Sequence, residues 1–121
     1  ASIPAANRVG AEGEGFKVAR QALNSGRITS AACAIGIAGA ALELATSHAR
    51  EREQFGKSIG EFQGISFMLA DMATRLDSSR LLVQRAAWLR DQGLPFAIEA
   101  SMAKLQATDM AMDVTTDAVQ I

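Results

Sequence analysis

Apolar side chains recur every three or four residues along most of the chain. Positions 28, 31, 35, 38, 42, 45 and 49 read Ile, Ala, Ile, Ala, Leu, Ala and Ala. That spacing puts them on one face of an α-helix starting at Arg27. Many are small, so a neighbouring helix backbone can approach closely. The charged run Arg50-Glu51-Arg52-Glu53 closes this helix, and Phe55-Gly56-Lys57 begins a loop. A second stripe, at 62, 65, 69, 72, 76, 79, 83 and 86, reads Phe, Ile, Leu, Met, Leu, Ser, Val and Ala. Only Ser79 breaks it. The stripe predicts a helix over 61–91, roughly 45 Å long. Gln92-Gly93-Leu94-Pro95 stops that helix, because Gly suits a helix C-terminus and Pro the start of the next helix. The last segment, 95–121, carries two stripes. One is Ile98, Met102 and Leu105; the other is Phe96, Ala100, Ala103, Ala107, Met110 and Val114. Two stripes predict burial on more than one side.

Ahead of these, 15–23 predicts a short helix. Asn24-Ser25-Gly26 is turn-forming and predicts a break or kink before the next helix. Residues 1–14, with Pro4, Gly10 and Gly13, read as a linker from an upstream domain. There is no β-hairpin signal and no short-period repeat. Long helices with short connections pack as antiparallel neighbours. The expected fold is all-α: an antiparallel up-down four-helix bundle over 15–121 with an N-terminal linker.

The chain has 121 residues, enough for one domain with its own core. Lys+Arg total 12 against 13 Asp+Glu, a net charge of −1. No basic excess recommends nucleic acid or an anionic membrane as partner. The longest charge-free stretch, 28–42, is shorter than the roughly 20 residues a membrane span needs. The single cysteine, Cys33, has no internal disulfide partner, and among alanines it reads as a buried thiol. His48 has no Cys or His at ligand spacing and reads as a helix-surface residue, so no metal is expected. Nothing marks Asp71 and Asp77 as a paired acid and base. Trp88 and the methionines read as core. Arg75, in mid-helix with no motif around it, reads as plain surface charge.

Periodicity stops at the fold, because helical bundles host many activities. Specific residues go further. Glu51-Arg52-Glu53-Gln54-Phe55-Gly56-Lys57, followed by Glu61-Phe62-Gln63, resembles the acyl-CoA dehydrogenase pattern E-R-x-Q-F-G-K with a glutamine shortly after. Gly13-Glu14-Gly15-Phe16 resembles that family's entry to its C-terminal helical-bundle domain. Leu69-Ala70-Asp71-Met72-Ala73 and Ala86-Ala87-Trp88 resemble the family's third helix. Ala103-Lys104 and Thr116-Asp117-Ala118-Val119-Gln120-Ile121 resemble its fourth. The resemblance covers nearly the whole chain. It implies an enzyme of three domains, namely N-terminal helices, a middle β domain and this bundle. FAD would lie between the middle domain and the bundles of two subunits of a homo-dimer or homo-tetramer. The implied reaction removes a proton from the α-carbon of an acyl-CoA thioester and passes a hydride from the β-carbon to flavin. Electrons would leave through an electron-transfer flavoprotein. The implied compartment is the cytoplasm in a bacterium and the mitochondrial matrix in a eukaryote.

The same resemblance assigns residues. Arg52 matches an arginine that reaches the FAD pyrophosphate of a neighbouring subunit, where a guanidinium fork suits phosphate oxygens. Its other reading is a solvated helix end. Gln54 and Gln63 carry over as amides for polar edges of the cofactor. Phe55 and Phe62 carry over as rings that pack on a flat cofactor, although core packing also explains Phe62. Gln120 resembles a glutamine at the flavin site, or is an ordinary polar residue near a helix end. Arg27 resembles an arginine near the CoA part of the substrate, in a D-x-x-R arrangement whose Asp is Asn24 here, and both carry over as candidate substrate-binding residues. Asn keeps hydrogen-bonding capacity but loses the charge.

Taking an α-proton beside a thioester needs a positioned carboxylate. Most of the family draws it from a Y-E-G-T segment beyond the position of Gln120. A minority branch places it just before the arginine matched by Arg27, where this chain has Gly26. No catalytic base is expected within these residues, and the isolated chain is expected to be inactive. Two further readings stay open: a free-standing helical interaction or oligomerisation module, and the same domain of an acyl-CoA oxidase-like flavoenzyme.

Overall fold

In the computed structural model, which describes residues 2–121, the periodic segments become three long helices. They are α1 (Gly15–Glu51), α2 (Gln63–Asp91) and α3 (Ala97–Gln120). Two core clusters set their directions. In one, Ile28, Ala31 and Ala34 of α1 pack with Val83 and Ala86 of α2 and with Ala100, Ala103 and Ala107 of α3. In the other, Ala38 and Ala45 pack with Met72 and Leu76 and with Met110 and Val114. So α1 and α3 run parallel, and α2 runs antiparallel to both. The α2–α3 seam shows the same register in its ion pairs. Arg75 reaches Asp113 at 3.5 Å and Asp117 at 3.9 Å, while Arg85, further along α2, reaches Glu99 near the start of α3 at 3.8 Å.

Alanine dominates the buried stripes. Ala31, Ala38, Ala86, Ala100, Ala103 and Ala107 are fully enclosed. Small side chains let the helices approach until their backbones limit them, and a larger residue there meets close-packed neighbours. Met72, Met110 and Val114 are the large buried side chains of the second cluster. Ser79, the break in the α2 stripe, is fully buried, and among the described residues its hydroxyl has no hydrogen-bond partner. The stop after α2 forms as its residues dictate. Gly93 takes φ 68°, its N–H donates to the Arg90 carbonyl, and the Leu94 N–H donates to the Leu89 carbonyl, both at 3.0 Å. This paired bonding satisfies the last carbonyls of the helix.

Several expectations are corrected. The described residues hold three long helices rather than four, because Asn24-Ser25-Gly26 does not break the chain. The buried stripe of α1 extends back through Asn24, which is enclosed and accepts a 2.6 Å hydrogen bond from Arg27 Nη1 at its Oδ1. Burial of a continuous face overrides the local turn preference. Strand is also present: β1 (Glu53–Gln54) and β2 (Lys57–Ser58) form an antiparallel hairpin, with Glu53 opposite Ser58 and Gln54 opposite Lys57. Its two-residue turn is Phe55-Gly56, at φ 54° and 82°. Both values are positive, as the twist of a tight hairpin requires. Cys33 is exposed, because it lies on the outward side of α1, off the buried stripe. Trp88 is 57% exposed, and Met102 and Met112 also face outward. All three sit off the stripes that the other helices cover.

By length and composition α1 is apolar enough to cross a membrane; here its alanine stripe packs on α2 and α3. Further apolar surface lies on either side of the α1–α3 groove. Phe16, Leu23, Ile37 and Leu44 on α1, and Ile98, Met102, Leu105, Met112 and Val119 on α3, are each more than half exposed.

Candidate functional site

The parallel course of α1 and α3 brings three chain segments to one end of the bundle: the finish of α1, the start of α2 and the finish of α3. Leu44 and His48 of α1 line a common groove with Thr115, Ala118 and Val119 of α3. Arg52 caps α1, Gln54 ends β1 and Phe55 forms the hairpin tip. Phe62 caps the start of α2, Gln63 is its first residue, and Gln120 is the last residue of α3. All six residues matched to a cofactor are therefore at this end.

Backbone bonds and one hydroxyl hold the hairpin there. The Arg52 N–H donates to the His48 carbonyl at 2.8 Å, continuing the helical ladder one step past α1. The Ile59 N–H then donates back to the Arg52 carbonyl at 2.8 Å. Ser58 Oγ donates to the Ala49 carbonyl at 2.6 Å and accepts from the Gly60 N–H at 3.3 Å. The last carbonyls of a helix have no partner within it, so Ser58 supplies one from outside. Gly60 passes close to α1: a Cβ at this position would lie 3.1 Å from the Ala49 oxygen.

Around this frame the polar groups are open. Among the described residues Arg52 makes no ion pair. Arg52, Gln54, Gln63 and Gln120 are all exposed. The Phe55 ring is 92% exposed. Phe62 is half-buried beneath it, with Lys57 Nζ 4.3 Å from its ring centroid. A cation over an aromatic face is attracted by the ring quadrupole. Phe62 thus supports its neighbours, and Phe55 presents the open ring. Helix α2 begins without a side-chain cap, and its Ile65 and Ser66 N–H groups donate to the Phe62 carbonyl at 3.0 and 2.9 Å. A planar cation, three amides and an open aromatic ring suit a ligand that carries both phosphates and flat heteroaromatic rings.

Asn24 and Arg27 do not join this group. They lie toward the other end of α1, roughly 40 Å from Arg52 at 1.5 Å per helical residue. There they line a groove of about 790 Å³ between α1 and α3, together with Phe16, Leu23, Ile98 and Met102. No carboxylate among the described residues lines it. Among the described residues no group of three His, Cys, Asp or Glu side chains is arranged to hold a metal. The matched motif contained Lys57 but nothing that singled out Ser58 or Gly60. Their roles come from proximity to Ala49, which no local spacing announces.

Comparison with known proteins adds to this geometry. Residues 13–121 match the family described as acyl-CoA dehydrogenase, C-terminal domain. A short-chain specific acyl-CoA dehydrogenase from Clostridium acetobutylicum is 48% identical over 98% of this chain and 31% of its own length. Butyryl-CoA dehydrogenase from Megasphaera elsdenii superimposes with a TM-score of 0.95 at 50% identity, over 98% of this chain and 31% of that one. PigA, in its structure with FAD and proline, superimposes with a TM-score of 0.94 at 35% identity, over 98% of this chain and 31% of that one. The chain thus spans about a third of the length of the proteins it matches.

Proposed function

Because this chain belongs to the acyl-CoA dehydrogenase family, as its C-terminal domain, we propose that it serves a longer FAD-dependent enzyme that dehydrogenates acyl-CoA thioesters between the α- and β-carbons. The observation that carries this reading is the gathering of Arg52, Gln54, Phe55, Gln63 and Gln120 at one end of the bundle. In this reading the Arg52 fork takes the FAD pyrophosphate, the amides take polar edges of the cofactor, and Phe55 packs against a flat ring. Phe62 supports Phe55. Bound FAD supplies the acceptor for the substrate hydride.

Arg27 takes the CoA part of the substrate in the 790 Å³ groove. Asn24 lines the same groove and accepts from the Arg27 guanidinium at its Oδ1, so it orients Arg27 beside the substrate. With no carboxylate in that groove, the base that accepts the α-proton is assigned to a part of the enzyme outside these residues. The roughly 40 Å between Arg27 and Arg52 supports contact with two separate ligand positions, one of them the FAD of a neighbouring subunit. A homo-dimer or homo-tetramer follows from that reading. The apolar surface along α1 and α3 suits the rest of the enzyme, a fourth helix of the bundle included, because contiguous apolar patches of this kind are interaction surfaces. Residues 1–14 lead in from an upstream domain and 15–121 form the bundle. Electrons leave to an electron-transfer flavoprotein, in the cytoplasm of a bacterium or in a mitochondrial matrix.

The test is FAD affinity of the full-length enzyme. Arg52→Ala should weaken it about 10- to 100-fold, the size of a lost hydrogen bond to a charged group. Arg80→Ala is the control, since Arg80 is exposed and pairs with Asp77 one turn earlier on α2. Equal affinity in the two variants would return Arg52 to a solvated helix terminus.

A further inference from the structure

We propose that Ser58 is a positioning residue for the cofactor, acting as a latch that fixes the hairpin to the end of α1. The inference rests on the FAD reading of this end of the bundle. Ser58 touches no candidate cofactor atom itself; it acts through Arg52, Gln54 and Phe55. Its hydroxyl makes two bonds in opposite directions, donating to Ala49 O at 2.6 Å and accepting from Gly60 N–H at 3.3 Å. The first ties β2 to the last turn of α1. The second starts the 3-10 turn Ile59–Glu61, which delivers Phe62 to the start of α2.

Phe62 in turn carries the Phe55 ring and the Lys57 ammonium. One half-buried hydroxyl therefore orients both flanks of the hairpin. Without it, among the described residues, the hydrogen bonds left between the hairpin segment and α1 are Ile59 N–H to Arg52 O and Arg52 N–H to His48 O. The hairpin is short, with two residues in each strand. A ladder of that length has little rigidity of its own. Its angle to α1, and with it the direction of Arg52, depends on the latch.

The test uses the full-length holoenzyme. FAD dissociation constants are measured for wild type, Ser58→Ala, Ser58→Thr, Gly60→Ala, Arg52→Ala and the Arg52→Ala/Ser58→Ala double variant. Ser58→Ala should weaken FAD about fivefold, the size of one neutral hydrogen bond. Ser58→Thr keeps the hydroxyl and should stay within about twofold of wild type. Gly60→Ala should weaken binding in the same direction, because its Cβ presses on the Ala49 carbonyl at 3.1 Å. A purely structural loss would add in full to that of Arg52→Ala, whereas a latch acting through Arg52, Gln54 and Phe55 gives a double variant whose loss is less than the sum of the two single losses.

Wild-type affinity in both Ser58→Ala and Gly60→Ala, with Arg52→Ala impaired, overturns the latch and leaves the FAD reading standing. Full additivity in the double variant also overturns it. Wild-type affinity in Arg52→Ala overturns the FAD reading and the latch with it. Should Ser58→Ala not fold, Gly60→Ala and Ser58→Thr decide: the latch requires the first to be impaired and the second not.

Discussion

Phe55 and Phe62 meet edge to face, with ring centroids 6.2 Å apart and planes at 86°. Phe55 makes this contact while 92% exposed and at φ 54°. A bulky residue in that backbone region costs about 1–2 kcal/mol, and an edge-to-face pair returns about 0.5–1.5 kcal/mol. The two nearly cancel. The exposed ring is therefore kept at the hairpin tip for little net stability, which is the pattern of a residue retained for contact with something outside the domain.

Phe55→Asn separates these terms. Asn adopts positive φ more readily than Phe, so the variant should fold with a stability within about 1 kcal/mol of wild type. FAD affinity of the full-length enzyme should nevertheless fall. Thermal unfolding of the apoprotein and flavin titration check the two halves. A variant that is clearly destabilised yet binds FAD normally would make Phe55 a structural residue only.

Arg27 should act on substrate alone. Arg27→Met keeps much of the apolar stem and removes the charge that Asn24 holds at 2.6 Å. In the full-length enzyme the apparent KM for acyl-CoA should rise about tenfold or more, with FAD affinity unchanged, because the two sites lie roughly 40 Å apart along α1. Steady-state kinetics at saturating FAD, with flavin content measured alongside, provide the check. A variant that loses flavin instead would contradict the separation of the two sites.

Arg75 is an interhelix residue, not the bare surface charge its sequence context suggests. It lies between Asp113 and Asp117 near the end of α3, where the last helical turn carries no basic residue of its own. Arg75→Ala should cost under about 1 kcal/mol, since all three groups are partly solvated. The loss should shrink as salt is raised. Denaturant midpoints at low and high ionic strength read this directly. A salt-independent loss would point to packing by the arginine stem.

Ser79→Ala should leave stability unchanged or raise it by up to about 1 kcal/mol. The substitution removes a buried hydroxyl that has no partner among the described residues, and an unsatisfied buried polar group carries a desolvation penalty. Urea unfolding settles the sign. Marked destabilisation would mean that the hydroxyl is bonded to an internal water.

The stripes through Ile28, Ala31, Ala38 and Ala45, through Met72, Leu76 and Val83, and through Ala100, Ala107 and Val114 were legible because helical period is a local property. The Gly93 stop was legible for the same reason. Arg52 through Lys57 was legible as a motif, and the structure places it with Phe62, Gln63 and Gln120 at one end. Asn24-Ser25-Gly26 misled because its turn preference is also local, whereas the burial of Asn24 depends on α3. The hairpin was hidden because its turn is Phe-Gly, without the Asn or Asp that commonly marks such turns. Cys33 and Trp88 misled because residue type reports how often a side chain is buried, not which side of a helix a neighbour covers.

The order of residues by itself determined that the chain is helical, which faces are apolar, where α2 ends, and which family motif lies after α1. Each follows from contacts within a few residues. Only the tertiary structure decided that α1 is one helix and that α3 runs parallel to it. It alone joined Arg75 to Asp113 and set Ser58 against Ala49. Those relationships are selected by the burial of whole faces against other helices and by the satisfaction of stray backbone groups, which helical period does not report even where the partners, like Ser58 and Ala49, are only nine residues apart.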